Sequence, residues 1–112
     1  MTESAVVDLR EAARSIDRAW APLDLVRAND TIVRLAKLHG EFAWHQHDED
    51  ELFLCWEGAF RIELAERPAV ELNAGQLFVV PKGVQHRPVA AKPAFALLIE
   101  RPETLQYGNN PA

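Results

Sequence analysis

The chain has 112 residues, 48% of them apolar and 26% charged, with a formal net charge of -5. That length closes one hydrophobic core but not two, and the composition is that of a folded globular domain rather than a disordered or fibrous chain. A negative balance without any basic run gives no electrostatic footprint for a phosphate backbone, so nucleic acid is not an expected partner.

The N-terminus lacks a basic start followed by an apolar stretch, and the longest apolar run, residues 94–99, is far too short to span a bilayer. No membrane partner and a cytoplasmic location are the expectations. Cys55 is the sole cysteine, which rules out an intrachain disulfide and fits a reducing compartment. Set between Leu54 and Trp56, it reads as a small buried apolar residue rather than a nucleophile.

In chain order, Asp8 followed by Glu11 forms a capping pair, and Leu9, Ala12, Ala13, Ile16 and Trp20 recur at helical spacing before Pro22. The pattern predicts a short amphipathic helix over 8–20, with Trp20 a packing residue at its end. From Leu23 the chain breaks into short segments. Strands are expected at 23–27, 31–38, 41–46, 51–56, 60–64, 70–72, 77–80, 86–89 and 95–100. Turn residues separate them, among them Asn29-Asp30, His39-Gly40, Glu57-Gly58, Asn73-Ala74-Gly75 and Pro81-Lys82-Gly83. Many short strands at this spacing specify an all-β sandwich or a small antiparallel β-barrel, here with one N-terminal helix. The expected organisation is one domain over 1–112: helix 8–20, barrel 23–101 and an irregular tail 102–112.

His45 and His47 flank a single residue, so on an extended segment both imidazoles leave the same face, about 7 Å apart along the chain. The acidic turn Asp48-Glu49-Asp50 then leads to Glu51 at the head of an apolar strand, whose antiparallel return can set a carboxylate beside them. The three turn acids are able to bind metal but are expected to be solvated. A second segment, Gly75-x5-Pro81-x-Gly83-x2-His86, presents another histidine where a new strand begins.

These residues resemble the two motifs of the cupin superfamily. The first reads Gly40, four residues, His45, Gln46, His47, three residues, Glu51, six residues, Gly58; the second reads Gly75, five residues, Pro81, Lys82, Gly83, two residues, His86. Sixteen residues, 59–74, lie between Gly58 and Gly75, as in compact cupins. The first motif is one residue short between Gly40 and His45, and Ala90 stands where the family carries Asn. The resemblance implies a jelly-roll (double-stranded β-helix) barrel of the small single-domain, phosphomannose-isomerase-like kind. It also implies a metal held by His45, His47, Glu51 and His86, and a homodimer.

Three imidazoles and a carboxylate suit Fe, Mn, Co, Ni, Zn or Cu better than Mg or Ca, which favour oxygen shells. By strand parity Phe53 and Cys55 join Glu51, and Ala43 joins His45, in an apolar pocket wall, so the expected ligand is a small organic molecule. Phe60, Ile62 and Leu64 mark a half-buried strand, with Phe78 and Val80 opposite. No general base emerges, since His39 sits in an expected turn. Of the cations, Arg34, Lys37, Arg61, Lys82 and Arg87, the sequence places none inside. Two functional readings follow: a metal-dependent isomerase or oxygenase of a small metabolite, as the resemblance implies, and a non-catalytic module that binds a small ligand or metal. A third keeps the metal as a structural staple.

Overall fold

The computed structural model describes residues 5–109, so the last three residues of the expected tail lie outside it. Helix α1, Leu9–Arg14, begins where Asp8 accepts a hydrogen bond from the Glu11 amide at 3.0 Å. It is shorter than expected. The Ser15 hydroxyl donates to the Ala12 carbonyl and competes with the next helical turn. Beyond it the chain turns until Trp20, at φ 63°, donates its amide to the Lys37 carbonyl and its indole N–H to the His39 carbonyl. Tertiary hydrogen bonds therefore override the helical periodicity after Ser15.

Among the described residues seven strands follow: β1 (Leu23–Ala28), β2 (Thr31–Glu41), β3 (Glu51–Glu57), β4 (Ala59–Leu64), β5 (Arg67–Asn73), β6 (Leu77–Val80) and β7 (His86–Glu100). All pairings are antiparallel, in the order β1-β2-β7-β3-β6, with β4 joining β7 to β5. The two strands expected at 86–89 and 95–100 are one 15-residue strand. Its first part, 86–89, pairs with β4, while 94–100 lies between β2 and β3. Exposed Ala91, Lys92 and Pro93 carry the chain between those two settings. A strand passing from one side of the core to the other reads locally as two strands with a break, which is why the Pro-containing stretch misleads.

The expected strand at 41–46 contributes only Glu41 to β2 and His45 to an isolated bridge with His86. Phe42 donates its amide to the Pro88 carbonyl, and His45 exchanges backbone hydrogen bonds with His86. Three steps along one side thus match two along the other. The extra residue makes a bulge that resets side-chain parity. Phe42 is buried and Ala43 exposed, the reverse of strict alternation from His45.

The core lies between the two halves of the wrapped sheet. It takes alternate positions from each strand: Ala36 and Leu38 of β2, Phe53 and Cys55 of β3, Phe60, Ile62 and Leu64 of β4, Ala94, Ala96 and Leu98 of β7. Val80 is buried there too, and Phe78 packs against it half-buried. Cys55 is fully buried, its thiol donating to the Gly58 carbonyl at 3.3 Å, and burial pushes its pKa up. On the outer face, Leu35 and Leu97 are covered by Leu9, Ala12, Ala13 and Ile16 around α1. Among the described residues, no helix is long and apolar enough to cross a membrane.

Candidate metal centre

Glu51 opens β3 with its side chain on the inner face, in register with Val80, and His86 opens β7. The two motifs are sewn together by backbone. Besides the His45–His86 bridge, Gly83 donates its amide to the His47 carbonyl at 2.8 Å, and the Lys82 amide donates to the Asp50 carboxylate at 2.8 Å. The acidic turn therefore has a structural part: Asp50 ties the Pro81-Lys82-Gly83 turn to the first motif. Asp48 and Glu49 do not join the cluster of candidate ligands.

The structure brings His45, His47, Glu51 and His86 together so that one donor atom from each lies within 4.8 Å of the others, and all four residues are buried. Glu51 Oε1 is 3.1 Å from His47 Nε2 and 3.4 Å from His86 Nε2. Neither approach has hydrogen-bond geometry: Glu51 Oε1 and both Nε2 atoms are buried without a protein partner. Such orphaned polar atoms are rare in folded proteins and need an explanation.

Two of the rings are oriented by the backbone. His45 Nδ1 lies 2.8 Å from the Ala43 carbonyl and His86 Nδ1 2.8 Å from the Val84 carbonyl. A carbonyl only accepts, so each Nδ1 carries the proton and each Nε2 offers its lone pair, the arrangement a metal-binding imidazole requires. Burial, only partly offset by the Ala43 hydrogen bond and reinforced by the neighbouring histidines, lowers the His45 pKa to about 4. Its ring is neutral at physiological pH. Burial alone would raise the Glu51 pKa, but the close approach of His47 and His86, with Glu100 beside them, holds it well below the usual carboxylate range. The donor set is thus three imidazoles and an anion in a buried pocket, and it fits a divalent transition metal.

A cavity of about 240 Å³ adjoins His45 and Glu51. Phe53, Leu98, Ala36 and Leu38 give it an apolar wall, as parity predicts for Phe53. Trp20 lines it as well as packing: its ring and that of Tyr107 lie on Phe42 at 4.9 Å each, and Phe42 meets the His45 ring edge-on at 5.2 Å. Residues 101–109 cross this end. Gln106 donates to the Trp20 carbonyl and the Asn109 amide to the Gln46 carbonyl.

Three cavity residues escaped the sequence reading: Glu100, Arg34 as an inward group, and Thr104. Glu100 is buried, and that burial, with the Glu51 carboxylate beside it and against the pull of Arg34, pushes its pKa up to about 9. The Arg34 guanidinium donates to Asp24, to Glu100 and to the Pro102 and Thr104 carbonyls. The remaining cations lie elsewhere; Arg61 and Arg87 pair with Glu63. His39 is exposed, on β2 rather than in a turn.

The sequence profile of the cupin domain matches residues 31–100. Over 85 residues, 75% of each chain, the sequence is 35% identical to the uncharacterized protein YdbB of Bacillus subtilis (strain 168). The fold is similar to that of a cupin-2 domain containing protein from Shewanella frigidimarina NCIMB 400, with TM-score 0.82, 34% identity and coverage of 86% of this chain and 94% of that one. Protein NMB1881 from Neisseria meningitidis is similar too, with TM-score 0.80, 28% identity, and coverage of 87% and 99%.

Proposed function

The chain belongs to the cupin domain family, and on that premise we propose that it holds one divalent transition metal through His45, His47, Glu51 and His86 and takes a small organic ligand in the adjoining cavity. The observation that carries this reading is the set of buried, unpartnered donor atoms on three of those residues, with the two backbone-oriented rings. A bound metal would act there as a Lewis acid or as a platform for oxygen chemistry.

The chain's own residues favour turnover of a small metabolite, as a metal-dependent isomerase or oxygenase, over passive binding. Glu100 supports this, because its carboxyl lies on the cavity wall against Glu51, where an isomerase needs a group to accept or return a proton. Phe42, Phe53 and Leu98 line the same cavity. A non-catalytic binding module would use the same pocket without needing Glu100 to move a proton.

Elemental analysis of gently purified protein, with mass spectrometry of any co-purified ligand, tests the metal. Failure to find a transition metal or to take one up on addition would overturn this reading. Turnover of a metabolite panel by the metal-loaded chain, lost in Glu100→Gln with metal content intact, separates the enzyme from the binding module.

The outer face of the sheet supports a homodimer. Two aliphatic rows cross five strands in register, Val26-Val33-Ile99-Leu52-Val79 and Leu23-Leu35-Leu97-Leu54-Leu77. Helix α1 covers only part of the second, and Val26, Val79, Leu23 and Leu77 remain exposed. Light scattering should give twice the chain mass.

A further inference from the structure

Besides the candidate metal ligand Glu51, two side chains on the cavity wall are more than nine-tenths buried and carry a polar atom without a protein partner: Glu100 Oε1, on a residue 7% exposed, and Thr104 Oγ1, on a residue 6% exposed. Both belong to groups that Arg34 anchors. Its guanidinium binds the other oxygen of Glu100 and the backbone carbonyl of Thr104, which ties the two residues to one anchor. Buried polar atoms of this kind are rare unless a partner arrives from outside the chain.

The chemistry of that partner follows from what Arg34 has left to give. Four of its five N–H groups are engaged, and its charge is flanked by Asp24 and Glu100. A phosphate or carboxylate at this end would face Glu100, and Arg34, already paired with Glu100 and Asp24, has a single N–H left to receive it. A hydroxyl group both donates and accepts, so it can hydrogen-bond Glu100 Oε1 whether or not that carboxyl carries its proton, and Thr104 Oγ1 as well. The facing wall of Ala36, Leu38, Phe53 and Leu98 suits the C–H face of such a molecule. The cavity of about 240 Å³ limits its size.

We propose that Glu100 and Thr104 form a hydroxyl-reading subsite beside the candidate metal ligands, so that the ligand of this cavity is neutral and polyhydroxylated at that end rather than phosphorylated or carboxylated. The assignment rests on the reading of the cavity as the ligand site. It adds the chemical class and two recognition residues.

The test uses the full chain loaded with zinc and xylitol as the probe, followed by amide NMR, with zinc content measured on every sample. Xylitol should perturb the Thr104 amide. Thr104→Val, which removes the hydroxyl and keeps the shape, should weaken binding about fivefold, and Thr104→Ser should restore it. Zinc content should be equal in all three. Absence of xylitol binding to the zinc-loaded chain, or an unchanged affinity in Thr104→Val, would overturn the subsite. So would inorganic phosphate shifting the Arg34 Nε–H resonance of the metal-free chain. If instead the chain takes up no zinc but binds xylitol in a Thr104-dependent way, the metal reading fails and the subsite stands.

Discussion

The two ends of the barrel interior are built from the same strands and differ in kind. Around Phe60, Ile62 and Leu72 the inward side chains are all apolar and buried. At the other end, the same alternation delivers Glu51 from β3 and Glu100 from β7, with His45, His47 and His86 beside them. Phe53 stands between, 6.2 Å from the Phe60 ring and 6.2 Å from His86. One end is a buried apolar core, while the other leaves buried donors and acceptors without a protein partner. The apolar end stabilises the fold, and the polar end holds unsatisfied groups in place, as the proposed binding site requires.

The largest effect should come from the apolar end. Ile62 is fully buried, so Ile62→Ala removes packed methyl groups and leaves a cavity, at a cost of about 2–5 kcal/mol in urea unfolding. Zinc uptake should survive wherever the variant is folded. A variant that lost zinc binding without losing stability would erase the division of labour.

The polar end should show the opposite pattern. Zinc at a hundred times its dissociation constant should raise the unfolding free energy of the parent by about 2.7 kcal/mol, since a ligand bound only by the folded state stabilises it by mass action. His45→Ala/His86→Ala should show no such increment in a thermal melt. An equal increment in the double variant would place zinc elsewhere.

A smaller effect is expected where residues 101–109 cross the polar end. Gly108 has φ +81°, and a Cβ there would come 2.2 Å from the Gln46 carbonyl oxygen. Backbone, not a flexible side-chain tip, is what it meets. Gly108→Ala should cost about 1–3 kcal/mol locally and should speed hydrogen exchange at the Asn109 amide, which donates to that same carbonyl. Exchange at β4 amides should stay as in the parent.

The contrast between the ends also explains what the sequence made legible. His45, His47, Glu51 and His86 sit in two short motifs whose turns are local, so their spacing carries the information. Glu100 and Arg34 carried a weaker signal that was available: 94, 96, 98 and 100 are alternate positions of one strand, as are 32, 34, 36 and 38. Parity places both charges inward with Ala96, Leu98 and Ala36. What no local pattern encodes is their pairing across 66 positions, or the stacking of residues as far apart as Trp20, Phe42 and Tyr107. The bulge between Phe42 and His45 was hidden for the same reason, because only the partner strand shows that one residue is extra.

The subtlest test of the polar end is its response to acid. In the metal-free chain the His45 pKa is lowered from 6.5 to about 4, with burial as the first cause. The folded state therefore resists a proton that the unfolded state accepts. Above about pH 6.5 neither state protonates this ring, and its contribution to stability is complete. As pH falls from 6.5 towards 4 the unfolded chain gains protons the folded chain refuses, so that contribution is progressively lost. The His45 imidazole should titrate by NMR with a midpoint near 4, and the acid loss of metal-free stability should shrink in His45→Gln, which cannot take the proton. Ile62→Ala should shift the whole stability curve downward while keeping this component of its slope. A His45 midpoint near the ordinary 6.5 would mean that water reaches the ring, and the distinction between a dry, ligand-ready polar end and an ordinary exposed cluster would fall.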